Sequence, residues 1–271
     1  MFENLLRDKN VQKALGVLVV VVALALIGWY IVNDLRGKTD GENLVQEGGI
    51  GADIREGEGV IQQIPVDIVI TPRSNILTPK LDRALVFHTN LDSAAQDIIR
   101  NNIAQLTGSL KEQPDSFGTW LDLAIQYKII GDYEGAAEIW EYLNRAAEGN
   151  TISRVNLGNL YHYELKEYEK SEANFKDALR INAQLPEAYM GLFELYRYSF
   201  KTNTTEAEDI LREGITALPQ NIDLVMTLAG YYKEKERVND AKETYQKART
   251  LAETTGNTAL VGMIDDELSA L

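Results

Sequence analysis

Four tyrosines recur at nearly equal intervals between residues 127 and 232. They are Tyr127, Tyr161, Tyr196 and Tyr232, and the spacings between them are 34, 35 and 36 residues. A leucine precedes each tyrosine by four residues, which is one helical turn on the same face. A period of this length is typical of architectures that stack one supersecondary unit many times. The chain is therefore predicted to be a helical repeat protein.

A second set of positions locates the turn within each repeat. Ala136, Ser171, Ala207 and Ala241 follow the tyrosines at gaps of 9, 10, 11 and 9 residues. From each small residue to the next tyrosine the gap is always 25 residues. All length variation thus falls between the two helices of one repeat, where an exposed turn tolerates insertions. The stretch from Trp120 to Trp140 is accordingly predicted to be two helices with a turn at Gly131-Asp132-Tyr133.

The pattern resembles the tetratricopeptide repeat, a 34-residue helix–turn–helix unit. A bulky residue four positions after each small one completes the likeness: Trp140, Phe175, Leu211 and Tyr245. The resemblance implies an all-α solenoid over residues 92–271, which begins with a helix capped by Asp92 or Ser93. The predicted repeats are 117–150, 151–185, 186–221 and 222–255, followed by a capping helix at 257–271. Phe193 and Gly214 depart from the usual residue types and predict looser packing in the third repeat.

The same resemblance implies a binding groove for a polypeptide along the concave face, lined by the first helix of each repeat. The matching residues are Leu121, Ile125, Lys128, Ile129, Val155, Asn159, His162, Tyr163, Met190, Glu194, Arg197, Tyr198, Met226, Lys233 and Glu234. Tyrosine, methionine and arginine are over-represented at protein interfaces. For Tyr163 and Tyr198, partner binding and packing between repeats stand as equal alternatives. The carboxylate clamp of some family members is not expected, because Leu121 and Ile125 occupy its positions.

Residues 14–32 contain no charge and predict one transmembrane helix, since nineteen residues of helix span roughly 28 Å. Trp29 and Tyr30 near its end suit the headgroup region. A cleaved signal peptide would have a shorter apolar run and a small-x-small site, and neither is present. Three basic residues lie in the tail 1–13, against Arg36 and Lys38 after the span. The positive-inside rule then predicts a cytoplasmic N-terminus and an extracytoplasmic repeat domain, at a bacterial or archaeal inner membrane.

Two segments connect the predicted span to the repeats. Residues 33–59 are rich in glycine and acidic residues, which is typical of a flexible linker. Residues 60–91 are rich in valine and isoleucine and contain three prolines, so an extended segment is predicted, with a short strand at Val66–Ile70. Whether this segment occupies the groove itself is left open by the sequence.

Charge and composition exclude several function classes. The net charge of −14 disfavours nucleic acid, whose phosphates need a basic face. The chain has no cysteine, so disulfides and thiolate metal sites are excluded. No catalytic constellation, cofactor motif or metal motif is found, and an enzyme is not expected.

The predicted function is a single-pass membrane-anchored scaffold for a protein partner in envelope assembly or secretion. An anchored hydrolase with an unrecognised site is the alternative.

Overall fold

The computed structural model describes residues 76–271. The predicted tail 1–13, transmembrane helix 14–32, linker 33–59 and the first part of the extended segment, 60–75, lie outside the described residues. Within residues 76–271, no helix combines the length and the apolar character that crossing a bilayer requires.

Ten helices follow one another between residues 93 and 269, separated by short turns. They are α1 (Ser93–Glu112), α2 (Phe117–Ile129), α3 (Tyr133–Ala146), α4 (Ile152–Tyr163), α5 (Tyr168–Ile181), α6 (Pro186–Tyr198), α7 (Glu206–Ala217), α8 (Ile222–Glu234), α9 (Val238–Thr254) and α10 (Thr258–Ser269). Residues 76–91 before them contain no helix and run in an extended course. The described part of the chain is therefore all-helical apart from this segment, as the sequence predicts.

The helices associate as four hairpins: α2 with α3, α4 with α5, α6 with α7, and α8 with α9. Each second helix also packs on the first helix of the next hairpin, and α4 contacts α6 directly. At the ends, α1 packs on α2 and α10 packs on α9. This succession of helix–turn–helix units is the α-solenoid that the resemblance implies, with each repeat in contact mainly with its neighbours.

All four hairpins turn through a residue in the left-handed conformation at the same place. The residues are Gly131, Lys166, Lys201 and Glu236, with φ angles of 80°, 57°, 58° and 57°. They lie 35 residues apart along the chain. In the first hairpin Asp132 then caps α3, since its carboxylate accepts a 3.0 Å hydrogen bond from the Gly135 N–H. The predicted turn is confirmed at Gly131 and Asp132, whereas Tyr133 is already the first residue of α3.

The prediction of looser packing in the third repeat is wrong. A Cβ built on Gly214 would lie 2.8 Å from the ring of Tyr189, so the absence of a side chain lets this fully buried aromatic ring approach the helix backbone. Phe193 is 6% exposed and meets the ring of Tyr231 edge-on at 5.9 Å. Gly214 therefore makes room for a large neighbour, and Phe193 fills space against Tyr231, so both departures are compatible with close packing.

The recurring tyrosines join each repeat to the one before it. Tyr161 donates a hydrogen bond of 2.6 Å to Glu141, and Tyr196 donates one of 2.7 Å to Glu172. In the last repeat Tyr232 donates one of 2.9 Å to Glu208. Each acceptor lies on the second helix of the preceding hairpin. Tyr127 differs, because its buried hydroxyl has no hydrogen-bond partner among residues 76–271.

Candidate functional site

Three exposed apolar or aromatic side chains lie at equivalent positions on successive first helices. Ile129, Tyr163 and Tyr198 are the last residues of α2, α4 and α6. They are 41%, 44% and 69% exposed. Large apolar residues in such a series are unusual on a surface that faces only water. We call these three residues the inner row.

Other residues predicted to line the groove lie in the interior. Leu121 is 4% exposed, Val155 is 8% exposed and His162 is 3% exposed. These side chains pack between helices and offer a partner little surface. The hydrophobic character of Leu121 and Val155 is therefore explained by the core.

The polar groove residues mostly bind one another across neighbouring repeats. The Tyr163 hydroxyl donates a hydrogen bond to Glu194, and Arg197 forms an ion pair with Glu234. Lys233 continues the series, with its Nζ 2.7 Å from a carboxylate oxygen of Glu267 in α10. These links run from each first helix to the next element along the solenoid. They hold the inner surface in a fixed arrangement.

Arg197 is surrounded by aromatic rings, although it was predicted as a groove residue. Its guanidinium carbon lies 5.3 Å from the ring centre of Tyr198 and 5.0 Å from that of Tyr231. Only 8% of its side chain is exposed. Arg197 therefore supports Tyr198 from below, through cation–π contact, and leaves the tyrosine ring itself exposed.

The remaining predicted groove residues are half-buried: Ile125, Lys128, Asn159, Met190 and Met226. Ile125 packs against the core of the first repeats, and Met190 and Met226 pack against the core of the later ones. The Asn159 side chain has no hydrogen-bond partner within the described part of the chain. Its amide is free to bind a ligand.

Sequence reasoning missed two inner-face residues at the sixth position of their repeats, Asp122 and Asn156. Neither side chain forms a hydrogen bond or ion pair with any residue in 76–271. Asp122 is exposed, yet the protein around it removes part of its hydration and so raises its pKa. Asp122 lies one turn from both Ile125 and Gln126, and Asn156 lies one turn from Asn159. Their spacing from the predicted residues is the signal that could have found them.

A histidine and a serine meet beside the inner row. His162 Nε2 lies 2.9 Å from Ser199 Oγ. The His162 Nδ1 atom is buried and has no hydrogen-bond partner among residues 76–271. A catalytic serine–histidine pair requires a third group on that nitrogen to orient the imidazole. The contact is therefore a structural hydrogen bond between α4 and the end of α6, and it gives no support to a hydrolase.

A pocket of about 310 Å³ lies between α7, α8 and α9. Its charged residues are largely engaged elsewhere. Arg212 binds both Glu208 and Tyr232, and Asp240 pairs with Arg237 at 2.6 Å. The ionisable groups do not converge on one point inside the pocket, as an active site would require.

The extended segment reaches only the Ile129 end of the inner row, where the Thr89 hydroxyl donates a 3.0 Å hydrogen bond to the Ile129 carbonyl. Its hydrogen bonds reach the turn after α2 and the second helix α3. His88 N–H donates a 2.8 Å bond to the Ile130 carbonyl, and Arg83 binds Asp132. The described residues 76–91 thus leave Tyr163 and Tyr198 uncovered.

Comparison with known proteins identifies similar folds only. No family model and no curated protein matches the chain. Among solved structures, MamA has 18% identity over 62% of this chain and 99% of that chain, with a TM-score of 0.49. TTC0263, a tetratricopeptide repeat protein of Thermus thermophilus, has 20% identity over 66% and 95%, with a TM-score of 0.44. YrrB, described as having an unusual peptide-binding site, has 11% identity over 60% and 90%, with a TM-score of 0.42. Because these scores lie below 0.5, the fold assignment rests on the helix hairpins themselves.

Proposed function

We propose that this chain is a membrane-anchored tetratricopeptide-repeat scaffold that binds an extended segment of a partner protein along its first helices. The observation that carries the proposal is the inner row of Ile129, Tyr163 and Tyr198. It gives apolar contact area on a surface already stiffened by links between repeats. Rigid aromatic residues of this kind contribute much of the binding energy at protein interfaces.

The unpaired polar groups beside the inner row define the chemistry of the partner segment. Asn156 and Asn159 can each donate to and accept from a peptide backbone. Asp122 carries a negative charge in a partly desolvated position, and no cation among residues 76–271 pairs with it. A lysine or arginine of the partner would neutralise that charge. We therefore propose an extended segment with apolar side chains for the inner row and a basic residue near Asp122.

Site-specific photocrosslinking tests the groove in the full chain. A photoreactive residue replaces Tyr163 or Tyr198, and a third variant carries it at Val238. Val238 is a matched control, because it is 39% exposed but begins a second helix, α9. We expect a discrete polypeptide adduct from Tyr163 and Tyr198 and none from Val238. Equal adducts at all three positions, or none at the tyrosines, would refute the groove.

We further propose that residues 14–32 anchor the chain in the bilayer, with a cytoplasmic N-terminus and the repeats on the opposite side. The apolar run and the charge difference around it support this arrangement. A scaffold held there would act in the assembly or secretion of envelope proteins. External protease added to spheroplasts should digest the repeat domain. Protection of the repeats until the membrane is dissolved would reverse the orientation.

A further inference from the structure

Residues 76–91, which we call the strap, lie on the repeats, and from Pro79 onward alternate side chains face inward. The inward side chains are Pro79, Leu81, Arg83, Leu85, Phe87, Thr89 and Leu91, and all are buried or half-buried. The intervening residues Lys80, Asp82, Ala84, Val86, His88 and Asn90 are exposed. A period of two is that of an extended peptide bound along one face. The strap therefore has the form of a bound ligand rather than of a helix end.

Arg83 holds the centre of the strap. Its guanidinium binds both carboxylate oxygens of Asp132, with Nη2 at 2.8 Å from Oδ1. Its Nη1 lies 3.3 Å from Glu138, about one and a half turns further along α3. A forked arginine–carboxylate contact fixes both position and direction. The strap runs antiparallel to α3. Thr78, near the start of the strap, hydrogen-bonds Tyr142 near the C-terminal end of α3, and His88, near the end of the strap, reaches the turn before α3 begins.

The turn beneath the strap is shaped for it. A Cβ on Gly131 would lie 2.8 Å from the Cβ of His88, so no side chain fits there while the strap is bound. The equivalent turns of the other repeats contain Lys166, Lys201 and Glu236 in the same left-handed conformation. The turn itself thus accepts a side chain at this place. The glycine of the first repeat is required by the strap as well as by the turn.

The strap also places a positive charge near the recurring tyrosine of the first repeat. In the other repeats this charge comes from a residue of the repeats themselves. The ring of Tyr161 has Lys170 Nζ at 5.0 Å, and the ring of Tyr232 has Arg237 at 4.3 Å. Burial raises the pKa of Tyr127, and the positive charge that opposes this increase comes from Arg83 of the strap. The first repeat therefore offers an incomplete surface that an arginine-containing segment completes.

We propose that the cleft between α1, α3 and the turn after α2 is a second peptide-binding site, which the strap fills in cis and which the strap of another copy of this chain can fill in trans. Its ligand is an extended segment with an arginine between alternating apolar side chains. All contacts named above are non-covalent, so the strap of another molecule can make the same contacts once the cis strap has been released. Only Asp92 lies between the strap and α1.

Complementation between two variants of the full chain tests exchange. Arg83→Ala weakens the binding of the strap to the cleft but leaves the cleft itself unchanged. Asp132→Asn weakens the cleft, keeps an N-cap acceptor for α3 and leaves the strap intact. An affinity-tagged Arg83→Ala chain should retain untagged Asp132→Asn chain in detergent, because one native strap–cleft pair forms in trans. Each variant mixed with itself should give no retention. If all chains show wild-type helix content and the mixture retains no more than the self-mixtures, exchange is refuted.

A synthetic, fluorescently labelled peptide of residues 76–91 tests the cleft directly. The Arg83→Ala chain should bind it about tenfold more tightly than the wild-type chain, because the cis strap competes less. Lys80→Ala, a change at an outward position, should leave the chain like wild type. Adding Gly131→Lys to Arg83→Ala should abolish peptide binding, since the new Cβ meets His88 of the peptide. Equal affinity of the wild-type and Arg83→Ala chains for the peptide would overturn the proposal.

Discussion

The Tyr196 hydroxyl donates a 2.7 Å hydrogen bond to Glu172, on the second helix of the preceding repeat. The same carboxylate receives Lys176 at 2.6 Å and Lys201 at 2.7 Å, and its side chain is 14% exposed. One glutamate thus joins a turn, two helices and two repeats. An acid in this position is expected to make the stability of the array depend on pH.

Acid should destabilise the protein through Glu172. Burial alone would raise the pKa of this carboxyl, but the hydrogen bonds from Lys176, Lys201 and Tyr196 outweigh burial and bring the pKa to about 2. Since the folded pKa is depressed, the stabilisation is complete above the ordinary value near 4.5 and is lost as pH falls toward 2. We expect a loss of about 1–2 kcal/mol over that window, after allowance for solvent screening. Chemical denaturation of Glu172→Gln at pH 5 and pH 3 should show a smaller difference than wild type shows. An unchanged difference contradicts the assignment.

A second acid-sensitive step should come from His162 at higher pH. Burial, and secondarily the charge of Lys166, lower the pKa of this histidine from 6.5 to about 4. The unfolded chain therefore takes up the proton first, and stability falls as pH drops from about 6.5 to about 4. We expect a loss on the order of 1–3 kcal/mol in this window. His162→Gln should remove most of the pH dependence of stability in this window. It should not change the loss of stability at lower pH that is assigned to Glu172. A histidine NMR titration with a midpoint near 6.5 in the folded chain would contradict the prediction.

A buried arginine replaces an apolar side chain in the second repeat. Arg154 stands where the other repeats have Trp120, Tyr189 and Val225, and only 8% of its side chain is exposed. It binds Asp177 at 2.7 Å and the backbone carbonyl of Asn150. Asp177→Ala should cost about 1–3 kcal/mol, since the buried cation loses its counter-ion. Adding Arg154→Met should recover part of this loss. Urea unfolding of the two single variants and the double variant measures the coupling, and strictly additive losses would contradict it.

The ring of Phe175 should leave no room for a side chain at Gly158 or Gly191. A Cβ on Gly158 would lie 2.6 Å from its ring, and one on Gly191 would lie closer still. Gly191→Ala should therefore destabilise by about 1–3 kcal/mol through overpacking. Gly262→Ala is the matched control, because Gly262 lies within α10 with no atom in reach of a new Cβ. Gly262→Ala should increase the free energy of unfolding by about 0.5–1 kcal/mol, because alanine favours the helix more than glycine does. Thermal unfolding distinguishes the two, and equal shifts would disprove the packing argument.

The fold could be predicted because the repeats carry the same information four times. The tyrosine and small-residue positions locate the helices, and the variable gaps locate the turns. The sequence could not show which inner-face side chains stay accessible, since Leu121 is 4% exposed and Ile129, on the same helix, is 41% exposed. The interpretation of Gly214 failed for a similar reason, because the large ring that requires it, Tyr189, lies 25 residues earlier.

The sequence pattern also did not predict the hydrogen bonds between tyrosine and glutamate that join the repeats. Glu172 and Glu208 directly follow the small residue of their second helix, but Ala137 stands at that place in the first repeat. There Glu141, one turn later, takes over the bond to Tyr161. Two different positions thus perform one role, and a search by fixed spacing finds only one of them. The binding surface of the strap was not predicted either, since the prolines of residues 60–91 predict an extended course but not the surface that receives it.

The antiparallel course of the strap along α3 also has a mechanical consequence. Tension applied to the chain before Ile76 and directed away from the solenoid reaches Pro79 first, then the Arg83–Asp132 contact, and only afterwards the bonds of His88 and Thr89. The attachments are loaded one after another, so the strap peels from the surface at low force instead of shearing all its bonds together. The chain does not pull directly on α1, behind Asp92, until the last attachment has opened.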